Sequence, residues 1–99
     1  MIRTKEDAKR ALEPCDYNNE FYMCDGRRVN SLANLVKALR HTKADVYSYH
    51  VNESKNDFSM WINDVFKDSK LARSIYKLSK TNTIKKISLR LRELKKRSK

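Results

Sequence analysis

The sequence predicts a small, mainly α-helical domain with a minor two-stranded β element and a basic amphipathic C-terminal helix. A chain of 99 residues that is 39% hydrophobic suits one compact core. Its single glycine and single proline leave few places for the tight turns that sheet-rich folds need in number. Apolar residues also recur at spacings of three and four, as on one face of a helix. We therefore expect a helical body over residues 1–79 and a basic helix over residues 80–99.

The N-terminal segment predicts a helix followed by a hairpin. Thr4 stands before KEDAKRAL as an N-cap, and Glu6 and Asp7 fall in the first turn, where carboxylates suit the positive end of the helix dipole. Pro14 ends this helix. In EFYMCDGRRVN an apolar cluster precedes an Asp-Gly pair, which predicts two short strands joined by a turn with Gly26 at positive φ.

The middle of the chain predicts two amphipathic helices around an ambiguous segment. The first begins at Asn30 or Ser31, ends near His41 and carries one apolar stripe of Leu32, Leu35, Val36 and Leu39. The run TKADVYSYHV suits either a strand or a short helix, and we favour the helix slightly. The second helix is capped by Asn56 or Asp57. Its stripe contains Phe58, Trp61, Ile62 and Val65. The predicted core contains Phe58, Trp61, Ile62, Leu35 and Leu39.

Two further helices are predicted near the C-terminus. Asp68 can cap the first, whose apolar stripe contains Leu71, Ile75 and Leu78. After the polar linker SKTNT, Thr83 is the expected cap of the second. The apolar stripe of this last helix is narrow and is surrounded by Lys and Arg. We expect it to pack on the body or to form a homodimer, through Ile84, Ile87, Leu91 and Leu94.

The charge is segregated along the chain. Residues 1–68 contain 11 Lys and Arg against 11 Asp and Glu, whereas residues 69–99 contain 12 against one acid, Glu93, and so hold the whole net charge of +11. Such a segment attracts a polyanion, because each Lys or Arg that meets a phosphate releases condensed counterions. Solvated helix faces usually mix Glu with Lys, so nucleic acid is the partner we favour.

The segregated charge predicts a non-enzymatic nucleic-acid-binding protein that contacts phosphates with little sequence specificity, DNA being favoured over RNA. Arg27 and Arg28 could add to the site if they fold back nearby. The first alternative is a protein-interaction module that pairs helices or dimerises. A membrane partner is disfavoured because the apolar stripe has no aromatic residue to enter the headgroup region. The predicted contact residues are Lys77, Lys80, Lys85, Lys86, Arg90, Arg92, Lys95, Lys96 and Arg97.

The polar stretch HVNESKNDFSMWINDV raises a third possibility, a small enzyme centred on His50 with Asp57 or Asp64 orienting the ring. No GxSxG, HExxH or glycine-rich phosphate loop accompanies it. Caps, Asx-turns and a satisfied tryptophan explain the same residue types, with His50 donating to a carboxylate or carbonyl. We favour this structural interpretation and predict no catalytic residue and no cofactor.

Composition also bears on metals and location. Eight residues separate Cys15 from Cys24, and eight separate His41 from His50, a spacing unlike that of zinc modules. No metal site is therefore predicted. The chain has neither a long apolar span nor the apolar core of a signal peptide, which favours a cytoplasmic protein with free thiols.

One stretch resembles a known family. His50-Val51-Asn52, Asn56-Asp57-Phe58-Ser59, Trp61-Ile62 and Asp64-Val65, with the upstream Asp25-Gly26, are similar to the hallmark of small prokaryotic proteins, largely archaeal, described only as a domain of unknown function. The resemblance covers roughly residues 20–75 and leaves out the N-terminal helix and the basic C-terminal helix. It implies a shared fold and supplies no mechanism.

Overall fold

The structure of the protein is a computed structural model that describes residues 2–99. The fold is mainly α with a two-stranded antiparallel sheet, as predicted. The elements, in chain order, are α1 (Lys5–Leu12), a 3-10 turn (Tyr17–Asn19), β1 (Phe21–Tyr22), β2 (Arg28–Val29), α2 (Leu32–Arg40), α3 (Ala44–His50), α4 (Asp57–Phe66), α5 (Ser69–Ile75) and α6 (Lys80–Arg97).

The predicted helix starts are confirmed for α1, α2, α4 and α5. In each, a side-chain oxygen of the N-cap accepts an N–H of the first turn, which satisfies a donor that the helix itself leaves free. Thr4 and Asp7 form a reciprocal capping box at α1. Of the two candidates for α4, Asn56 is the cap. The ambiguous segment is helical as α3, and Lys43 precedes it without a side-chain cap bond.

The hairpin also forms as predicted. Phe21 pairs with Val29 and Tyr22 with Arg28. Gly26 has φ 95° in the connecting turn, a backbone conformation that glycine adopts without steric cost. Lys67, after α4, is the other described residue with φ clearly positive, at 59°. It ends α4 where a glycine is the usual residue.

The basic helix begins at residue 80, as the predicted division of the chain has it, but the predicted cap and linker were wrong. Ser79, not Thr83, caps the helix, so most of the expected linker SKTNT is the first turn of α6. Thr83 is fully buried and its Oγ1 lies 2.8 Å from the hydroxyl of Tyr47, which also donates to the carbonyl of Leu78 at 2.9 Å. A hydroxyl that can cap a helix can equally bond inside the core, and spacing in the sequence does not separate the two.

The helix α6 packs against α1, α2 and α5 and closes the core. Ile87 and Leu94 are fully buried, and Ile84 and Leu91 are half-buried against the same cluster. The homodimer predicted through these four residues therefore lacks a free surface, because the stripe is already covered by the chain itself. Core residues of the body include Leu35, Leu39, Phe58, Trp61 and Ile62, as expected.

Candidate nucleic-acid interface

The predicted contact residues fall into three groups according to their surroundings. Most are exposed on the outer side of α6 or just after α5: Lys77, Lys85, Lys86, Arg92, Lys95, Lys96 and Arg97. Lys80 is half-buried, and Arg90 is buried. The exposed group can meet a ligand without any change in the fold, whereas the other two have structural contacts.

Arg90 is the clear exception to the prediction. Its Nε donates to Asp68 Oδ2 at 2.6 Å and its Nη2 to Asp68 Oδ1 at 3.3 Å, while Nη1 donates to Glu93 at 3.1 Å. The side chains of Arg90 and Asp68 are only 9% and 1% exposed. Burial alone would lower the pKa of Arg90, but the hydrogen bonds and charge of Asp68 raise it above its ordinary value. Arg90 therefore forms a structural ion pair with Asp68, and we remove it from the contact residues.

Two other predicted residues anchor the ends of α6. Lys80 Nζ donates to the carbonyl of Thr42 at 2.6 Å and ties the start of the helix to the turn after α2. At the other end, Arg97 Nη2 donates to the carbonyls of Ile2 and Arg3 at 3.2 and 3.4 Å. Arg97 remains exposed, so its guanidinium can bond the backbone and still face an anion.

Arg27 and Arg28 do not join the basic surface as free cations. Arg27 pairs with Asp25 at 2.8 Å and donates to the carbonyl of Ala38 and the hydroxyl of Thr42, so it fixes the hairpin to the end of α2. Arg28 pairs with Glu20 at 2.7 Å. It also lies over the rings of Tyr17 and Tyr22, 3.9 and 4.9 Å from their centroids, and so braces the hairpin.

Two basic side chains of α5 were missed by the prediction from sequence. Lys70 and Arg73 are exposed on α5 three residues apart, a spacing that sets them on one helix face, and the exposed Lys77 follows in the turn after the helix. A groove between α5 and α6 is lined by Lys70 and Lys86 together with the exposed Leu89. The periodicity of α5 could have identified Lys70 and Arg73, but only the packing of α5 on α6 places them beside Lys86.

The basic face keeps its charge. Within residues 2–99, Arg90 is the only basic side chain after residue 68 that forms an ion pair with an acidic side chain. The remaining pairs lie in the body, where acids and bases are equal in number. The acidic residues of the body therefore do not neutralise the tail, apart from Asp68.

His50, the centre of the alternative enzyme hypothesis, is 4% exposed. Its Nδ1 lies 3.0 Å from Asp57 Oδ2, and its Nε2 accepts the backbone N–H of Cys24 at 3.0 Å. A neutral imidazole satisfies both contacts when Nδ1 carries the hydrogen. With both ring nitrogens bonded, His50 joins the hairpin to the start of α4. Asp64 is exposed and shares no hydrogen bond with either residue within the described chain.

Asp57 carries the charge of this cluster. Burial would raise its pKa, but hydrogen bonds from His50 and from Lys55, whose Nζ lies 2.9 Å away, outweigh that effect and lower the pKa below its ordinary value. The carboxylate is therefore ionised and paired, which suits an orienting and structural role better than proton transfer to a ligand.

Asn56 and Trp61 complete the local structure. The Asn56 side chain accepts from Ser59 and donates to the carbonyls of Ile75 and Tyr76, at 3.1 and 3.0 Å. It thereby caps the start of α4 and also donates hydrogen bonds to two carbonyls at the end of α5. The Trp61 indole N–H donates to the carbonyl of Asn19 at 2.7 Å. These contacts agree with the structural interpretation of the polar stretch.

Cys15 is half-buried and Cys24 is exposed, and both are free thiols. Burial raises the pKa of Cys15. In the part of the chain that the structure describes, no three His, Cys, Asp or Glu side chains are grouped so as to hold a metal ion.

Comparison with family models, with curated proteins and with solved structures gives no match. The resemblance of residues 20–75 to a small, largely archaeal family stays a prediction. None of the helices over residues 2–99 has the length and apolar character needed to span a membrane.

Proposed function

We propose that this chain is a non-enzymatic, cytoplasmic nucleic-acid-binding protein that contacts phosphates through the exposed face of α5 and α6. Little sequence preference is expected, because charge contacts to phosphates do not read base edges. DNA is the polymer we favour. The proposed contact residues are Lys70, Arg73, Lys77, Lys85, Lys86, Arg92, Lys95, Lys96 and Arg97.

One observation supports the proposal: among residues 2–99, none of the proposed contact residues forms an ion pair with a carboxylate, and Arg90 alone of the basic segment is paired, with Asp68 and Glu93. A row of unpaired cations on one face keeps a strong positive potential, which raises the rate and affinity of phosphate binding. An unpaired set of this size repels itself in the free protein, and a polyanion relieves that repulsion.

A protein-interaction role is the second candidate, and Leu89 favours it. This residue is 51% exposed on α6, in the groove beside Lys70 and Lys86. An acidic partner with one apolar side chain would match these neighbours. The broader helix pairing that the sequence suggested lacks its surface, because Ile87 and Leu94 are inside the core.

The test compares two triple variants of the full chain. Truncation before α6 is unsuitable, since it removes Ile87 and Leu94 from the core. The test variant replaces Lys85, Arg92 and Lys96 by Gln. The matched control makes the same change in charge on the body, at the exposed Lys5, Lys37 and Lys43. Binding to duplex DNA, single-stranded DNA and RNA is measured over a range of salt concentrations.

We expect the parent chain to bind with a steep negative salt slope. For duplex DNA, the magnitude of that slope falls by about 0.9 for every cation that no longer meets a phosphate, so the test variant should show a slope smaller by up to about 2.7 if all three side chains meet phosphates. The control should bind as the parent does. An equal loss of affinity in both variants, or a slope close to zero, contradicts the proposal and favours a protein partner.

A further inference from the structure

A groove of about 660 Å³ lies between α4 and α5, on the other side of α5 from the groove beside α6. Met60 and Tyr76 line it and are 62% and 36% exposed. Large apolar side chains that stay exposed in one groove indicate a surface for a ligand with an apolar part. Neither residue is needed to fill the core.

The polar side chains of this groove are basic or neutral. Lys55, Asn63 and Arg73 all line it, and no acidic side chain of the described residues does. Lys55 is paired with Asp57, but Arg73 has no ion pair within the described chain. The groove therefore suits a ligand that combines an anionic group with an apolar, hydrogen-bonding surface.

Arg73 also connects this groove to the basic face. Its side chain lines both the α4–α5 groove and a separate groove near Ile2 and the end of α6, which is also lined by Lys70, Arg97 and the ion-paired Arg90, Asp68 and Glu93. Arg73 thus offers a cation to a polyanion at the point where the two grooves meet.

Contacts at both its backbone and its hydroxyl orient Tyr76 at the wall of the groove. The backbone carbonyl of Tyr76 accepts a hydrogen bond from the side-chain amide of Asn56 at 3.0 Å, and the Tyr76 hydroxyl lies 3.4 Å from the carbonyl of Ser54, which also lines the groove. A ring held at the wall of a groove loses little entropy when a flat group stacks on it, which is how proteins bind unpaired bases.

We infer that the preferred ligand is single-stranded nucleic acid, with phosphates on Arg73 and the basic face and a base stacked on Tyr76 and Met60. The inference rests on the proposed function and names its substrate class. In a duplex the bases are paired and stacked, so they cannot enter the groove, whereas a single strand can turn a base outward. The amide of Asn63 offers a donor and an acceptor to the base edge. An acidic peptide without aromatic residues, such as polyglutamate, has no ring to stack there.

The experiment measures binding of the full chain to oligodeoxythymidylate of about 16 nucleotides, the upper end of single-strand site sizes, and to the same strand paired with oligodeoxyadenylate. Tyr76→Ala should weaken single-strand binding about tenfold without changing the salt slope, because stacking involves no counterion. Met60→Gln, an exposed change that leaves the core intact, should weaken it to a smaller extent. Arg73→Gln should reduce the magnitude of the slope by about 0.7.

Two controls separate stacking from folding. Tyr76→Phe keeps the ring and loses only the long hydroxyl contact with Ser54, so it should retain most of the binding that Tyr76→Ala loses. Tyr22→Ala removes a tyrosine that is 59% exposed on the hairpin, outside the groove, and should also bind normally. Far-ultraviolet circular dichroism and the fluorescence of Trp61 confirm that each variant is folded.

The outcomes distinguish the two levels of the proposal. Equal affinity for the single strand and the duplex, with Tyr76→Ala and Met60→Gln unchanged, overturns the groove while phosphate binding stands. Failure to bind either oligonucleotide at low salt overturns the proposed function and this inference together. Binding of polyglutamate as tight as that of the oligonucleotide, and equally sensitive to Tyr76→Ala, assigns the groove to an acidic peptide instead.

Discussion

Replacing Arg90 by Met tests whether the most buried charge of the basic segment is structural. The substitution leaves the carboxylate of Asp68 in the interior without the guanidinium that now gives it two hydrogen bonds, at 2.6 and 3.3 Å. Met has a similar length and fills the space, so the lost pairing, and not a cavity, dominates the effect.

The expected cost follows from burial. Breaking a buried ion pair by removing one partner typically costs about 3–5 kcal/mol, and Asp68 is only 1% exposed. A domain of this size has a total stability of about 5–15 kcal/mol, so Arg90→Met should remove a large part of it. Asp68→Asn in the same chain should restore about 2 kcal/mol. Asn can still accept the first-turn N–H of Leu71, and it removes the unpaired charge.

Urea unfolding followed by the fluorescence of Trp61 measures these differences. With a slope of about 1 kcal/mol per molar urea, the midpoint should fall by about 3 M or more for Arg90→Met. Arg92→Met, two residues further along and exposed, should change stability by less than about 0.5 kcal/mol. If Arg90→Met behaves like Arg92→Met, the buried pair does not exist in solution and Arg90 returns to the contact residues.

Three further substitutions test the polar stretch and the end of α4. Asn56→Ala should cost about 3 kcal/mol in urea unfolding, since it removes a helix cap and leaves two carbonyls at the end of α5 without donors. The pKa of Asp57 lies below its ordinary value of 3.8, because hydrogen bonds, including the one from His50, outweigh the effect of burial. The contribution of Asp57 to folding stability is therefore fully present above the unfolded-state pKa, and it is lost as the pH falls through the lowered pKa of the folded state. Asp57→Asn should therefore flatten the loss of stability below pH 4, and an unchanged acid-unfolding curve argues against the pairing. Lys67→Gly should raise the thermal midpoint, with a gain of about 1 kcal/mol, because Lys67 has φ 59°; a fall in the midpoint contradicts this.

The local structure was predictable because its causes are local. A capping side chain acts on amides of the next turn, and an apolar stripe repeats every three or four residues, so Thr4, Ser31, Asp68 and the stripes of α2 and α4 are visible in the sequence. Thr83 shows the limit of this reasoning. Its hydroxyl had two possible uses, and the choice depended on Tyr47, which is distant in the sequence and adjacent in space.

The positive charge of the proposed interface was predictable from the sequence, but the particular side chains that are exposed there were not. Composition alone assigns the whole net charge to residues 69–99, and that assignment needs no fold. Which cations are free depends on pairs far apart in the sequence, such as Arg90 with Asp68, and on the packing of α5 beside α6. The same packing buried the stripe of Ile87 and Leu94 that could otherwise have served a dimer, and left Met60 and Tyr76 exposed in a groove. The sequence by itself determined the helices and the sign of the surface, because periodicity and charge are properties of the chain. Only the tertiary structure decided which side chains are available to a ligand, because availability depends on what each residue meets across the fold.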